Sequence, residues 1–176
     1  MKKIIFLAKL KKEKKLELVE PSEEIKESYI RKSESNLASS KILLKNGKLE
    51  EAITLAYYSM YHILASLFYK IGLKCENHAA SIILLKEIFD VDNSAISSAK
   101  KDRIDKQYYT DFYITEQEVA DAIGSAEIFN SRLFDFISKI TNNDIKIYRK
   151  KFEELINFSL PGTEEKRQKG GGGIKK

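Results

Sequence analysis

Cysteine, proline and tryptophan are almost absent from this sequence, and glycine is scarce. Its 176 residues include one cysteine, two prolines, eight glycines and no tryptophan. A single thiol excludes an intrachain disulfide and a zinc site with several thiolates, so we expect a reducing compartment and interpret Cys75 as a loop residue. Because turn residues are so few and hydrophobic residues reach 43%, the composition favours a helical fold over β-structure or disorder.

Long apolar runs are missing as well. The segment Ile4–Ala8 is too short for the core of a secretory signal. The uncharged stretch from Ala52 to Tyr69 approaches the length of a membrane span, but its tyrosines, serines and His62 interrupt the apolar character. We therefore expect a cytoplasmic protein with no membrane association, in which this stretch forms a buried helix.

Hydrophobic periodicity predicts an all-α fold, an antiparallel helical bundle of five to six helices with a long central second helix. The first helix is predicted to begin near Ser22 and to end at Asn46-Gly47, and the second to end at Gly72. The second helix carries two apolar stripes, so it is either central or buries its second face against another subunit. The first stripe contains Ile53, Tyr57, Met60, Leu64, Leu67 and Ile71, and the second contains Leu55, Tyr58, His62, Ala65 and Tyr69.

The later helices are predicted from their caps and their spacing. Asn77 is the predicted cap of the third helix, and Thr115 with Glu118 forms a capping box at the start of the fifth. A last helix is predicted over residues 143–158. The fourth helix, from about Ser94 to Tyr109, has few apolar residues, which is typical of a helix that faces a cleft or a partner.

Positive charge is concentrated at the two ends of the chain. Residues 1–20 contain seven lysines and three glutamates, and residues 162–176 contain five basic residues and two glutamates, whereas the whole chain carries a net charge of +5. We therefore predict a basic N-terminal extension over residues 1–21, a helical bundle over 22–158 and a basic, glycine-rich flexible tail over 159–176. If RNA is bound electrostatically, the tail residues expected to contact it are Lys166, Arg167, Lys169, Lys175 and Lys176.

No pattern for a metal ion or a cofactor is found in the sequence. The two histidines, His62 and His78, have no histidine or carboxylate partner at helical spacing. The four consecutive glycines of the tail lack the preceding strand and following helix of a phosphate-binding loop. We expect a protein that uses neither a metal nor a cofactor.

The fourth helix combines basic, hydrogen-bonding and aromatic residues. Arg103 and Gln107 share one face, and Lys106 lies close enough to pair with Asp102. Arg103 is suited to a bidentate contact with a phosphate, and Tyr108 and Tyr109 are suited to stacking on bases. The alternative interpretation is a solvated helix face crossed by salt bridges.

Each histidine also has two interpretations. His62, one turn after Tyr58, is either a hydrogen-bonded core residue or an acid–base group in a cleft. His78, in the first turn of the third helix, either meets an anion together with the free backbone N–H groups or is an exposed residue beside the Asn77 cap.

Three stretches together resemble the HEPN superfamily, and its archaeal members most. They are Leu55-Ala-Tyr-Tyr-Ser-Met-Tyr-His62, Cys75-Glu-Asn-His-Ala-Ala-Ser81 and Arg103-Ile-Asp-Lys-Gln-Tyr-Tyr109, and the similarity covers residues 24–140. The resemblance implies a small helical bundle that forms a homodimer. Members of this family include ribonuclease toxins and nucleotide-binding partners of minimal nucleotidyltransferases.

The resemblance also implies which residues act. Ribonuclease members carry an arginine followed, after four to six residues, by a histidine; Arg103 matches the arginine, but Tyr108 occupies the histidine position. With an ordinary pKa of about 10, tyrosine is a poor base for taking a proton from a ribose hydroxyl. Activity as a metal-independent endoribonuclease stays open, and a binding cleft is favoured. In some family pairs the nucleotidyltransferase adenylylates a tyrosine near this motif, for which Tyr108 and Tyr109 are available.

Three functions are consistent with these patterns. The leading hypothesis is a dimeric, toxin-like protein that binds RNA or a nucleotide and pairs with a nucleotidyltransferase antitoxin. The second is a non-enzymatic factor that binds the ribosome or another large RNA assembly through its basic termini. The third is a helical dimerisation or interaction module.

Overall fold

The computed structural model describes residues 2–108 and 113–157, and for residues 105–108 it describes the backbone alone. The described chain is mostly helical, which confirms the predicted all-α bundle. Within these ranges it has seven helices instead of the five to six expected, because the N-terminal extension begins with a helix. The elements are α1 (Lys2–Lys12), β1 (Leu16–Leu18), α2 (Glu23–Lys45), α3 (Leu49–Ile71), β2 (Leu73–Cys75), α4 (His78–Phe89), α5 (Ser94–Tyr108), α6 (Glu116–Ser138) and α7 (Asn142–Asn157).

Helix α3 lies at the centre of the bundle and packs against α2, α5, α6 and α7. The first apolar stripe predicted for it is fully buried, and the second is mostly half-buried. Serines of α2 allow the two helices to approach closely: Ser33 Oγ donates to the Ser59 carbonyl and Ser40 Oγ to the Ala52 carbonyl, both at 2.7 Å. The antiparallel hairpin of α2 and α3 is therefore the base on which the other helices pack.

The predicted helix ends agree with the structure. Gly47 and Gly72 adopt left-handed φ angles of 68° and 71° after α2 and α3. The Asn77 side chain accepts a hydrogen bond from the Ala80 N–H at 3.0 Å, so α4 begins at His78. The capping box of Thr115 and Glu118 is present at the start of α6.

A two-stranded antiparallel sheet, which the sequence did not predict, joins the N-terminal region to the bundle. In its register Leu16 lies opposite Cys75 and Leu18 opposite Leu73. Leu7 and Leu10 of α1 are buried in the core, so residues 2–18 pack on the bundle. This sheet pairs the short connection between α3 and α4 with the N-terminal segment.

Helix α5 is attached to the bundle by few apolar side chains. Ile96 is fully buried and Ala99 is half-buried, whereas Ile104 is exposed. This agrees with the small number of apolar residues in its sequence. Among the described helices, none is both long and apolar enough to cross a membrane.

Candidate functional site

Arg103 lies against the aromatic side chains of α3. Its guanidinium carbon is 5.0 Å from the centre of the Tyr58 ring and 5.6 Å from that of Tyr57. At these distances the ring faces attract the cation. The contacts orient Arg103 on a helix that otherwise packs weakly.

The side chain of His78, the first residue of α4, contacts the same tyrosines. Its Nδ1 is 2.7 Å from the Tyr57 hydroxyl oxygen. The Tyr61 ring stacks on it with centres 3.7 Å apart and planes at 13°, and Tyr58 approaches edge-on at 6.1 Å. We call Tyr57, Tyr58, Tyr61, His78 and Arg103 the Arg103 cluster.

The hydrogen bond between Tyr57 and His78 determines where His78 carries its proton. Tyr57 is 1% exposed, and burial raises the pKa of its hydroxyl, so the hydroxyl remains protonated and needs an acceptor. His78 Nδ1 is that acceptor, and we therefore assign the proton of the neutral ring to Nε2. In this state Nε2, on the opposite edge of the ring from Tyr57, is a hydrogen-bond donor.

The surroundings also keep His78 neutral. Burial, together with the positive charges of Arg103 and Lys100, lowers the pKa of His78 to about 4. Near pH 7 the cluster therefore combines the cationic Arg103 with a neutral N–H donor, and Lys100 adds a second positive charge beside it. Such groups are suited to contacts with an anion.

His62 lies beside the cluster on the outer face of α3. Its Nδ1 is 2.9 Å from Asn36 Nδ2, and its ring stacks on Tyr58 with centres 6.1 Å apart. It is half-buried, and burial followed by the charge of Lys32 lowers its pKa. His62 is thus a hydrogen-bonded residue on the surface of the bundle, and Tyr58 connects it to Arg103.

An open groove of about 380 Å³ runs between α4 and α5 next to the cluster. One of its lining residues is Lys100, whose charge acts on His78. Ser97 and Lys101 also line the groove, and the remaining lining residues are apolar. A larger cavity of about 490 Å³ lies beside α6 and shares none of its lining residues with the cluster.

Two of the site residues predicted from sequence, Arg103 and His78, are brought together by the fold. The other predicted residues have no described side chain. Lys106, Gln107 and Tyr108 lie in the last turn of α5, where only the backbone is described. Five tail residues and one on the α5–α6 connection lie outside the described residues: Tyr109, Lys166, Arg167, Lys169, Lys175 and Lys176.

Sequence reasoning missed the part that α3 plays in the site. The sequence pattern assigns Tyr57 to the first apolar stripe of α3 and Tyr58 to the second, which faces either the core or another subunit. The structure puts both rings under Arg103 and adds Tyr61 on the face of His78. Two signals were present in the sequence. Three tyrosines lie within five residues of α3, and a histidine follows the predicted cap of α4.

In the part of the chain that the structure describes, no group of three or more histidine, cysteine, aspartate or glutamate side chains is arranged to hold a metal ion. The Arg103 cluster contains one histidine and no carboxylate.

Comparison with known proteins identifies the family. The model of the HEPN domain matches residues 26–159. A UPF0332 protein of Pyrococcus horikoshii is 40% identical over 56 residues, which are 32% of this chain and 39% of that protein. A protein of Methanocaldococcus jannaschii named as a candidate toxin is 30% identical over 121 residues, which are 65% of this chain and 90% of that protein. The chain therefore belongs to the HEPN domain family.

Proposed function

We propose that this HEPN protein is a toxin-like RNA-binding protein that holds a phosphate of the RNA at the Arg103 cluster. The observation that carries the proposal is the position of the Arg103 guanidinium, over the Tyr58 ring and close to the neutral His78. The two ring contacts hold the guanidinium carbon in place, and a guanidinium binds phosphate oxygens through its N–H groups.

His78 supplies a second contact to the same phosphate. Its Nε2–H donates a hydrogen bond without adding charge, and Tyr61 holds the plane of the ring. Lys100 adds a cation whose charge already acts at His78. Together these groups favour a phosphate over a neutral ligand.

The same geometry favours binding over cleavage. Metal-independent cleavage needs a group that accepts the proton of the ribose 2′-hydroxyl. His78 cannot do so in its assigned state, because Nδ1 already accepts the Tyr57 proton and Nε2 carries its own. His78 therefore does not replace the histidine that is absent from the motif at Tyr108.

Toxin-like character and a protein partner are supported by the comparisons with relatives. The Methanocaldococcus relative, named as a candidate toxin, matches this chain over 90% of its own length. By analogy we propose an antitoxin partner, and the family resemblance favours a nucleotidyltransferase. An antitoxin that covers the Arg103 cluster would prevent RNA from reaching it.

Fluorescence anisotropy with a labelled RNA tests the binding site. We expect Arg103→Ala to weaken binding about tenfold to a hundredfold, because a charge-assisted contact contributes about 1.5–3 kcal/mol. Arg132→Ala, which removes an exposed arginine on α6, is the matched control and should leave the affinity unchanged. Equal affinities of the two variants for RNA would contradict the proposal. Gel analysis of the same RNA in EDTA shows whether it is also cut.

A further inference from the structure

The second stripe of α3 continues away from the Arg103 cluster as a row of aromatic rings. From Tyr58 the row passes to His62 at 6.1 Å between ring centres, and from His62 to Tyr29 of α2 at 5.8 Å. Tyr29 stacks on Tyr69 at 5.4 Å with planes at 11°. All four rings are half-buried. We call Tyr58, His62, Tyr29 and Tyr69 the aromatic strip.

The strip is too long for a single nucleotide. Tyr58 and Tyr69 are separated by eleven positions of one helix, which correspond to about 16 Å at about 1.5 Å per residue. Stacked nucleotides in one strand advance about 3.4 Å each. A ligand that begins at Arg103 and covers the whole strip must therefore be a chain of several nucleotides.

The charges along the strip suit a nucleic acid. Arg103 and Lys100 lie at one end, and Lys32 Nζ is 4.9 Å from the centre of the Tyr29 ring in the middle. At the far end, Lys70 Nζ is 3.5 Å from Glu23 Oε2, so this lysine is paired with a carboxylate. The row of cations along the strip therefore ends near Tyr69. Aromatic rings bordered by cations bind single strands, because every base has a face that can stack.

A second copy of the chain is the competing occupant. Tyrosine is common in subunit interfaces, but lysine is depleted from their buried cores. Here Lys32 covers a ring in the middle of the strip, and its ammonium group would have to be buried or displaced. The strip also continues directly from the Arg103 cluster through Tyr58, which belongs to both.

We propose that the aromatic strip is a second subsite, which stacks the bases of a single-stranded RNA whose phosphate is held at the Arg103 cluster. The inference rests on the proposed function, since it takes the cluster as the start of the bound chain. It adds that the ligand is an oligonucleotide instead of a mononucleotide, and it gives Tyr29 and Tyr69 a role in binding.

The test measures the affinity of the full chain for single-stranded RNAs of two and six nucleotides. We expect Tyr29→Leu and Tyr69→Leu each to weaken binding of the hexanucleotide about tenfold, because one aromatic ring of the strip is lost. Binding of the dinucleotide, which reaches only the Arg103 cluster, should not change. Tyr29→Phe keeps the ring and should keep the affinity, and Phe134→Leu on α6 is the control for loss of an exposed aromatic side chain. Thermal unfolding verifies that each variant folds.

The outcomes separate this inference from the proposed function. If Arg103→Ala weakens binding of both RNAs but neither tyrosine variant affects the hexanucleotide, the strip is not a subsite and the proposed function stands. If the wild type binds neither RNA, both proposals are overturned. If Tyr29→Leu converts a dimer into a monomer in light scattering and leaves RNA binding intact, the strip is a subunit contact and the inference is overturned.

Discussion

At the scale of single residues, one buried hydroxyl determines what the candidate site can do. Tyr57 donates to His78 Nδ1, and this bond makes the Nε2 edge of His78 a donor instead of a base. Tyr57→Phe would release Nδ1 while keeping the ring beneath Arg103. In the proposed site the Tyr57 hydroxyl is therefore a positioning group, and Arg103 and His78 are the groups proposed to contact the phosphate.

The pKa of His78 has a consequence for stability. In the folded protein it is about 4, mainly because of burial, with Arg103, Lys100 and His62 adding to the effect; Tyr57 and Tyr61 also border the ring. The ordinary value is 6.5. Between these values the unfolded chain binds a proton that the folded chain does not, so the free energy of unfolding falls as the pH decreases from about 6.5 to about 4. The lowered pKa of His62 acts in the same direction.

We therefore expect acidification from pH 7 to pH 5 to lower the urea midpoint of the wild type more than that of His78→Asn. The variant is less stable at pH 7 because it loses the contact with Tyr57, but it has one fewer group to protonate on unfolding. His62→Asn retains His78 and removes a group whose pKa is lowered less, so its pH dependence should lie between those of the wild type and His78→Asn. The same pH dependence in the wild type and in His78→Asn would show that the fold does not hold His78 neutral.

The sequence indicated Arg103 and His78 but not the tyrosines that join them, for a physical reason. Arg103 lies on a helix with few apolar residues, and such a helix is recognisable from local composition. Its contact with Tyr58 and the bond between Tyr57 and His78 join residues that are far apart in sequence. Tyr57 also satisfies the pattern of a core residue, so its hydroxyl gave no sign of a role in the site.

At the scale of elements, Arg149 of α7 connects the end of α3 to the N-terminal strand. Its Nη1 donates to the carbonyl oxygens of Val19, Ile71 and Gly72 at 2.8, 3.0 and 2.9 Å. One side chain thereby satisfies carbonyls at the C-terminus of α3 that have no partner within the helix. The contact requires Gly72, because a Cβ there would lie 2.3 Å from both Arg149 Nη1 and the Val19 oxygen.

Gly72→Ala should lower the free energy of unfolding by about 2–5 kcal/mol, since a left-handed backbone and a steric clash both oppose the new methyl group. Gly47→Ala is a matched control. Its φ angle is 68°, close to the 71° of Gly72, but no atom lies within 4 Å of the added Cβ, so it should lose only about 1 kcal/mol. Chemical denaturation measures both values. Equal losses in the two variants would contradict a role for the Arg149 contact.

Helices and strands of this fold differed in how far the sequence predicted them. The starts of α2, α4 and α6 and the C-terminal ends of α2 and α3 follow from local caps, which act within one turn of the chain. The strands β1 and β2 have three residues each and depend on pairing between segments that are far apart in sequence, with Leu16 opposite Cys75. Helix α1 is rich in lysine, and its burial of Leu7 and Leu10 depends on surfaces provided by distant helices.

At the scale of the whole molecule, two sources of positive charge are available for RNA. One is the Arg103 cluster of the bundle, and the other is the basic sequence at the two termini, where residues 1–20 carry a net charge of +4 and residues 162–176 one of +3. Terminal charges bind any polyanion, whereas the cluster offers a fixed arrangement of donors and rings. We therefore propose that the termini increase affinity for RNA in general and that the cluster fixes the position of the bound strand.

The salt dependence of RNA binding by the full chain tests the central claim most directly. In single-stranded RNA each neutralised phosphate contributes about 0.7 to the slope of log affinity against log salt concentration. We expect Arg103→Ala to reduce this slope by about that amount and to weaken binding at every salt concentration, while Arg132→Ala matches the wild type. An unchanged slope and affinity in Arg103→Ala would show that the phosphate is not bound at the Arg103 cluster.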